Sequence, residues 1–151
     1  MYSKQERSRI RKNFWTSFGQ YMRPIPNAEG ELINWVNYKT GIRHIYFRMD
    51  ADNKQAAIGI EIRHPDPLKQ QDYFRQFTQT RTILQEMLGE EWHWLSSTPD
   101  EDGHLISRIY TTLPHVNIFD QQNWSAIISF LKPRIIALDE YWNLVRHGFS
   151  E

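Results

Sequence analysis

Apolar residues recur every four positions from Ile10 through Phe14 to Phe18, with Tyr21 and Met22 extending the stripe, so residues 3–23 predict an amphipathic helix. Ser3 and Glu6 have the spacing of a capping box, and Pro24 and Pro26, which cannot donate a helical N–H, end it. Over residues 31–63 the period changes to two and predicts a three-stranded antiparallel meander. Its first strand runs near Leu32–Tyr38 and turns at Lys39-Thr40-Gly41. Its second alternates Ile45, Phe47 and Met49 with His44, Tyr46, Arg48 and Asp50. Its third alternates Ile58, Ile60 and Ile62 with Ala57, Gly59, Glu61 and Arg63. If Asp52-Asn53 is the two-residue loop of a primed turn, Phe47 faces Ile58, Ile45 faces Ile60 and His44 faces Glu61.

The second half reads in the same way. Asp66 and Pro67 are an N-cap and a first-turn proline, and Tyr73, Phe77, Thr80, Leu84 and Met87 follow at helical spacing to Gly89, a C-cap glycine. A hairpin follows, with Trp92 and Trp94 on one strand face, a turn at 99–103, and a partner strand from Leu105 to Thr112. Asp120 caps the last helix, in which Trp124, Ile128, Leu131, Ile135, Leu138, Trp142 and Val145 form a seam at four-three spacing. The seam keeps its phase across Pro133, which predicts one long kinked helix rather than two. At about 25 residues it would span nearly 40 Å, longer than the strands, so it bends around the core or docks its end on a second copy. The expected fold is α+β, order α-βββ-α-ββ-α, an antiparallel or mixed sheet packed by helices, with residues 1–151 as a single domain.

Composition narrows the chemistry. The chain has 151 residues and no cysteine, which removes disulfides, zinc–cysteine clusters, iron–sulfur ligation and thiol nucleophiles. Its 18 basic and 18 acidic residues cancel, which excludes a uniformly basic coat. The distribution is uneven, however. Residues 1–23 carry Lys4, Arg7, Arg9, Arg11, Lys12 and Arg23 against Glu6, whereas residues 86–102 carry six acids and no Lys or Arg. Lys4, Arg7 and Arg11 share a helical face and are the candidates for contact with a phosphate backbone. A solvated helix face is the simpler account, and attraction to the acidic segment of the same or a neighbouring molecule is a third. The polar N-terminus and the absence of a 20-residue apolar run predict a cytoplasmic chain without a membrane partner.

One polar cluster stands out. His44 opposite Glu61, with Tyr46 and Arg48 on the same strand face, could support acid–base chemistry, with Glu61 orienting the imidazole. A solvated or helix-covered sheet face is the simpler account. The element order also matches restriction-type nucleases, in which an Asp and an acid-x-Lys motif hold metal. Asp50 and Glu61-Ile62-Arg63 are the nearest equivalents, but the expected register separates Asp50 from Glu61 by six residues, about 20 Å, and Arg63 stands where lysine is needed. The histidines lack zinc-ligand spacing and the glycines form no phosphate loop, so neither metal nor cofactor is expected.

The run Arg11-Lys12-Asn13-Phe14-Trp15-Thr16-Ser17-Phe18, the Trp92/Trp94 strand after Gly89 and the aromatic last helix resemble a bacterial family, domain of unknown function 4268. Members of that family occur alone or fused behind nuclease-like domains in restriction and defence contexts, which implies an accessory or recognition role. The leading functional expectation is a non-enzymatic interaction module that self-associates and recognises nucleic acid or a nuclease partner through its basic first helix. The alternative is a metal-dependent nuclease or hydrolase of the restriction-endonuclease-like class, using the His44/Glu61 face.

Overall fold

The computed structural model describes residues 2–149. Helix α1 (Lys4–Met22) starts on the expected capping box, with Ser3 Oγ accepting from the Glu6 N–H at 3.1 Å and the Glu6 carboxylate from the Ser3 N–H. Strands β1 (Ile45–Ala51) and β2 (Gln55–Ile62) form a hairpin. Helices α2 (Pro67–Gln79) and α3 (Arg81–Leu88) follow, then strands β3 (His93–Pro99) and β4 (Leu105–Pro114), a turn of 3-10 helix, and helix α4 (Trp124–Val145). The four strands form one antiparallel sheet in the order β1-β2-β4-β3. The α+β class, the antiparallel sheet and the long C-terminal helix agree with the sequence reading.

Three details differ. Residues 32–38 are not a strand; they make only an isolated bridge, Pro26 to Leu32. Asparagine side chains replace the expected ladder: Asn27 Oδ1 accepts the N–H groups of Glu29 and Glu31, and Asn34 Oδ1 those of Val36 and Asn37. Trp35 nails the loop inward by donating Nε1–H to the Ile25 carbonyl at 2.9 Å.

Second, the β1–β2 register is displaced by two residues, pairing Ile45 with Ile62 and Phe47 with Ile60. The loop is Asn53-Lys54, and neither residue has positive φ. Asp52 holds the turn through its carboxylate, which accepts from the Lys54 and Gln55 N–H groups at 2.8 and 2.9 Å. A shift of two keeps every side chain on its expected face.

Third, the helix from Pro67 breaks at Thr80 (φ −110°, ψ 20°). The Thr80 hydroxyl lies 2.6 Å from that of Tyr141 and 3.2 Å from the Phe77 carbonyl, so a tertiary contact and a local one hold the bend. Burial pushes the Tyr141 hydroxyl up to about 12, against the opposing pull of Thr80. A phenol whose pKa is raised on folding contributes stability fully below its unfolded value near 10, which is then lost as the pH climbs through about 12. Two pH units correspond to about 2–3 kcal/mol. Tyr141→Phe should therefore flatten the fall in urea-unfolding stability above pH 10 by that amount. An unchanged alkaline slope would show that Tyr141 does not titrate against folding. Tyr38, also raised by burial and by its Asp139 partner, should keep part of the slope in that variant.

Helix α4 runs unbroken through Pro133, with Leu131, Ile135, Leu138 and Trp142 buried on both sides of it. Proline leaves one carbonyl of the preceding turn without its helical donor, and the Arg134 guanidinium gives the neighbouring Phe130 carbonyl an extra bond at 2.9 Å. The seam is consumed within the chain, against α1, α3, β1 and β2.

All the helix–sheet packing falls on one sheet face. That face presents Ile45, Phe47, Ile58, Ile60, Ile62 and Ile109, all buried, to α4 and α2. Nothing among the described helices packs on the other face.

Candidate functional site

Period-two alternation sends Tyr46, Arg48, Glu61, Arg108 and Tyr110 to the face that no helix covers. The observed register arranges them in two rows across the sheet. One row is Tyr46, Glu61, Arg108 and Leu95; the next is Arg48, Gly59, Tyr110 and His93. The rings are capped by cations: the Arg48 guanidinium lies 5.0 Å from the Tyr46 ring centroid and that of Arg108 lies 4.2 Å from the Tyr110 centroid. His93 lies against the other side of this group, 5.3 Å from Tyr110. Tyr46 is 39% exposed, so its ring is accessible although it carries apolar surface.

The charges on this face are unequally satisfied. Glu61 Oε1 accepts from Arg63 Nε at 2.8 Å and forms an ion pair with Arg48, whose Nε lies 3.0 Å away. Arg63 passes the chain on to Asp100 Oδ2 at 2.8 Å. Asp100 is held well below the usual carboxylate range, first by the Arg63 guanidinium and further by the N–H groups of His104 and Asp102. Arg108 is directly across from Glu61 yet makes no ion pair among the described residues, and its Nε is buried without a hydrogen-bond partner. The Nε is sealed from any ligand, but the terminal nitrogens of this guanidinium make no hydrogen bond among the described residues and keep their capacity for an anion.

The candidates from the sequence separate in space. Tyr46, Arg48 and Glu61 do come together, on an open surface rather than in a pocket or beneath a helix. His44 is not opposite Glu61: it precedes β1 with φ 71°, its carbonyl accepts the Arg63 N–H, and its ring lies 4.5 Å from that of His64. The two-residue register shift is the cause. Asp50 pairs with Ala57, four residues from Glu61 along β2, about 13 Å rather than 20. That is still too far for two carboxylates to share a metal ion. Arg108 and Tyr110 were missed; the signal that could have found them is the alternation of Ser107 and Ile109 with Arg108 and Tyr110 along β4.

Lys4, Arg7 and Arg11 lie on the first turns of α1, where residues 4–9 and 11–13 are all exposed. Arg11 sits 5.2 Å from the Phe119 ring centroid. The ion pairs of the acidic segment run from Glu90 to Arg134 and from Asp100 to Arg63, so among the described residues it does not pair with α1. Asp100, Asp102 and His104 have metal-ligand spacing, but the Asp100 carboxylate is already spent on Arg63 and the turn backbone. No described helix is long and apolar enough to cross a membrane.

Comparison with curated proteins and with solved structures returns no match. A family model described as domain of unknown function DUF4268 matches residues 10–146, from the middle of α1 to the end of α4. That span contains the whole sheet and both arginine–tyrosine pairs, and on it the chain belongs to the DUF4268 family.

Proposed function

We propose that this chain is a non-enzymatic binding module whose helix-free sheet face takes single-stranded nucleic acid. The observation that carries the reading is Arg108, a guanidinium stacked on Tyr110 that makes no ion pair or hydrogen bond among the described residues, on an inner strand of an uncovered sheet face. Bases of a single strand stack on aromatic rings whatever their identity, and arginines supply phosphate contacts and cation–π support. Two tyrosines, two arginines and one glutamate on β1, β2 and β4, with Arg63 just past the end of β2, provide both. The face is only weakly cationic, so stacking would provide most of the affinity. With about two or three phosphates neutralised, the logarithm of the binding constant should fall with the logarithm of salt at a slope near −2.

Fluorescence anisotropy with labelled DNA and RNA single strands of about 12 nucleotides tests this. Tyr46→Ala and Tyr110→Ala should each weaken binding about tenfold, and Arg108→Gln should weaken it by a similar factor. Duplex DNA, whose bases are already stacked, should bind less tightly. No binding at low salt, or binding untouched by the tyrosine variants, would overturn the proposal. A second reading rests on the exposed basic turns of α1, where Lys4, Arg7 and Arg11 could track phosphates. Neutralising those three should leave sheet-face binding nearly intact; a complete loss would move the site to α1.

A further inference from the structure

On the helical side of the molecule, the irregular segment between α1 and β1 closes against the C-terminal turns of α4 around an open cleft of about 370 Å³. The Asx turns at Asn27 and Asn34 shape the segment, and Asp139 of α4 clamps it. One Asp139 oxygen accepts the Ala28 N–H at 2.7 Å and the other the Tyr38 hydroxyl at 2.6 Å. Asp139 is 95% buried and has no arginine or lysine partner among the described residues, so its two oxygens are held by neutral donors alone. Trp142 and Ile33 supply apolar wall.

Other groups lining the cleft are not committed. Asn37 and Asn143 present side-chain amides, and Lys39 an ammonium, that make no hydrogen bond or ion pair among the described residues. Glu29 and Arg146, by contrast, are paired with each other at 2.6 Å. The cleft therefore combines one cation without a counter-charge, one carboxylate satisfied only by neutral donors, and two carboxamides that can donate and accept simultaneously. Concave sites of this size with an apolar wall and a few converging polar groups are the usual form of a small-molecule site.

We infer that this cleft binds a small polar molecule that is anionic at one end, seated on Lys39, and carries N–H donors at the other, facing Asp139, Asn37 and Asn143. Two classes share that chemistry: purine mononucleotides, with a phosphate and an N–H-bearing base edge, and α-amino acids, with a carboxylate and an ammonium. Carboxamides read purine edges well, and a lysine ammonium is a compact phosphate partner. The site is separate from the sheet face and does not depend on the reading of that face.

The test is thermal unfolding of the intact chain with purine mononucleotides, with amino acids, and with inorganic phosphate alone. A ligand of the right class should raise Tm progressively with the logarithm of its concentration. Lys39→Ala and Asn143→Ala, which break no internal bond among the described residues, should leave the Tm of the free protein unchanged and weaken the response about tenfold or more. Stabilisation by mononucleotides or by amino acids identifies the class. Overturning results are no shift from either class, a shift that survives both substitutions, or one reproduced in full by phosphate alone.

Discussion

Trp142→Ala is expected to destabilise the protein by about 3–5 kcal/mol and to lower Tm by roughly 10 °C or more. Trp142 is 1% exposed and sits where the sheet, α2 and the C-terminal residues meet. Its ring stands edge-on to Phe47 at 5.6 Å and stacks on Phe77 at 6.0 Å, with Phe149 at 5.0 Å. Its Nε1–H donates to the Thr40 carbonyl at 2.8 Å, and Thr40 Oγ1 in turn donates to Ile45 O at 2.8 Å, where β1 begins. Truncation therefore adds three losses: the transfer free energy of the ring, a cavity that the neighbouring rings cannot fill, and an orphaned carbonyl. Trp142→Phe keeps much of the packing and should cost less, mainly through the hydrogen bond. A urea-unfolding loss below about 1.5 kcal/mol for Trp142→Ala would mean that the aromatic cluster is not a cooperative core.

Gly59→Ala should destabilise by about 2–3 kcal/mol, although alanine ordinarily improves on glycine inside a strand by roughly 0.5–1 kcal/mol. Gly59 lies in β2 opposite Tyr110 of β4, and a Cβ built there would stand 2.6 Å from Tyr110 Cβ, 2.7 Å from the Ile109 carbonyl oxygen and 3.0 Å from Tyr110 Cα. These neighbours are backbone atoms or atoms fixed to it, so no side-chain rotation relieves the clash. The two central strands must separate, and with them the rows that bear Arg108 and Tyr110. The midpoint of urea unfolding should fall with the slope unchanged, and single-strand binding should weaken in the fraction that remains folded. A neutral or stabilising Gly59→Ala would show that β2 and β4 lie further apart than the structure places them.

Local chemistry and tertiary packing control different features of this fold. Helix starts and stops were legible because their chemistry is local. Asp66 does cap α2 by accepting the Leu68 N–H at 2.9 Å and Gly89 does take the left-handed conformation at φ 71°, whereas Asp120 caps the 3-10 turn Gln121–Asn123 that leads into α4 and not α4 itself, whose N-cap Asn123 makes no side-chain capping bond. Strand parity was legible because period two depends only on which face is buried. Register was not: displacements of zero and two bury the same residues, and the decision fell to the Asp52 carboxylate in the turn. That difference placed Tyr46 rather than His44 opposite Glu61 and dissolved the acid–base pair read from the sequence.

The stretch Leu32–Tyr38 looked like a strand because its apolar and aromatic residues fit one, yet Asn34 and Trp35 direct it into a loop that closes the cleft. Thr80 fitted a helical stripe until Tyr141, 61 residues away, bonded to its hydroxyl. The functional surface divides in the same way. By itself the sequence determined that Tyr46, Arg48 and Glu61 share one face of β1 and β2, since alternation is a property of the backbone pleat. Only the tertiary structure decided that β4 inserts beside β2, that Arg108 and Tyr110 complete the face, and that every helix packs on the opposite side. Strand order and helix placement follow from burying one continuous apolar face. That is a property of the whole chain, which no local stretch of residues encodes.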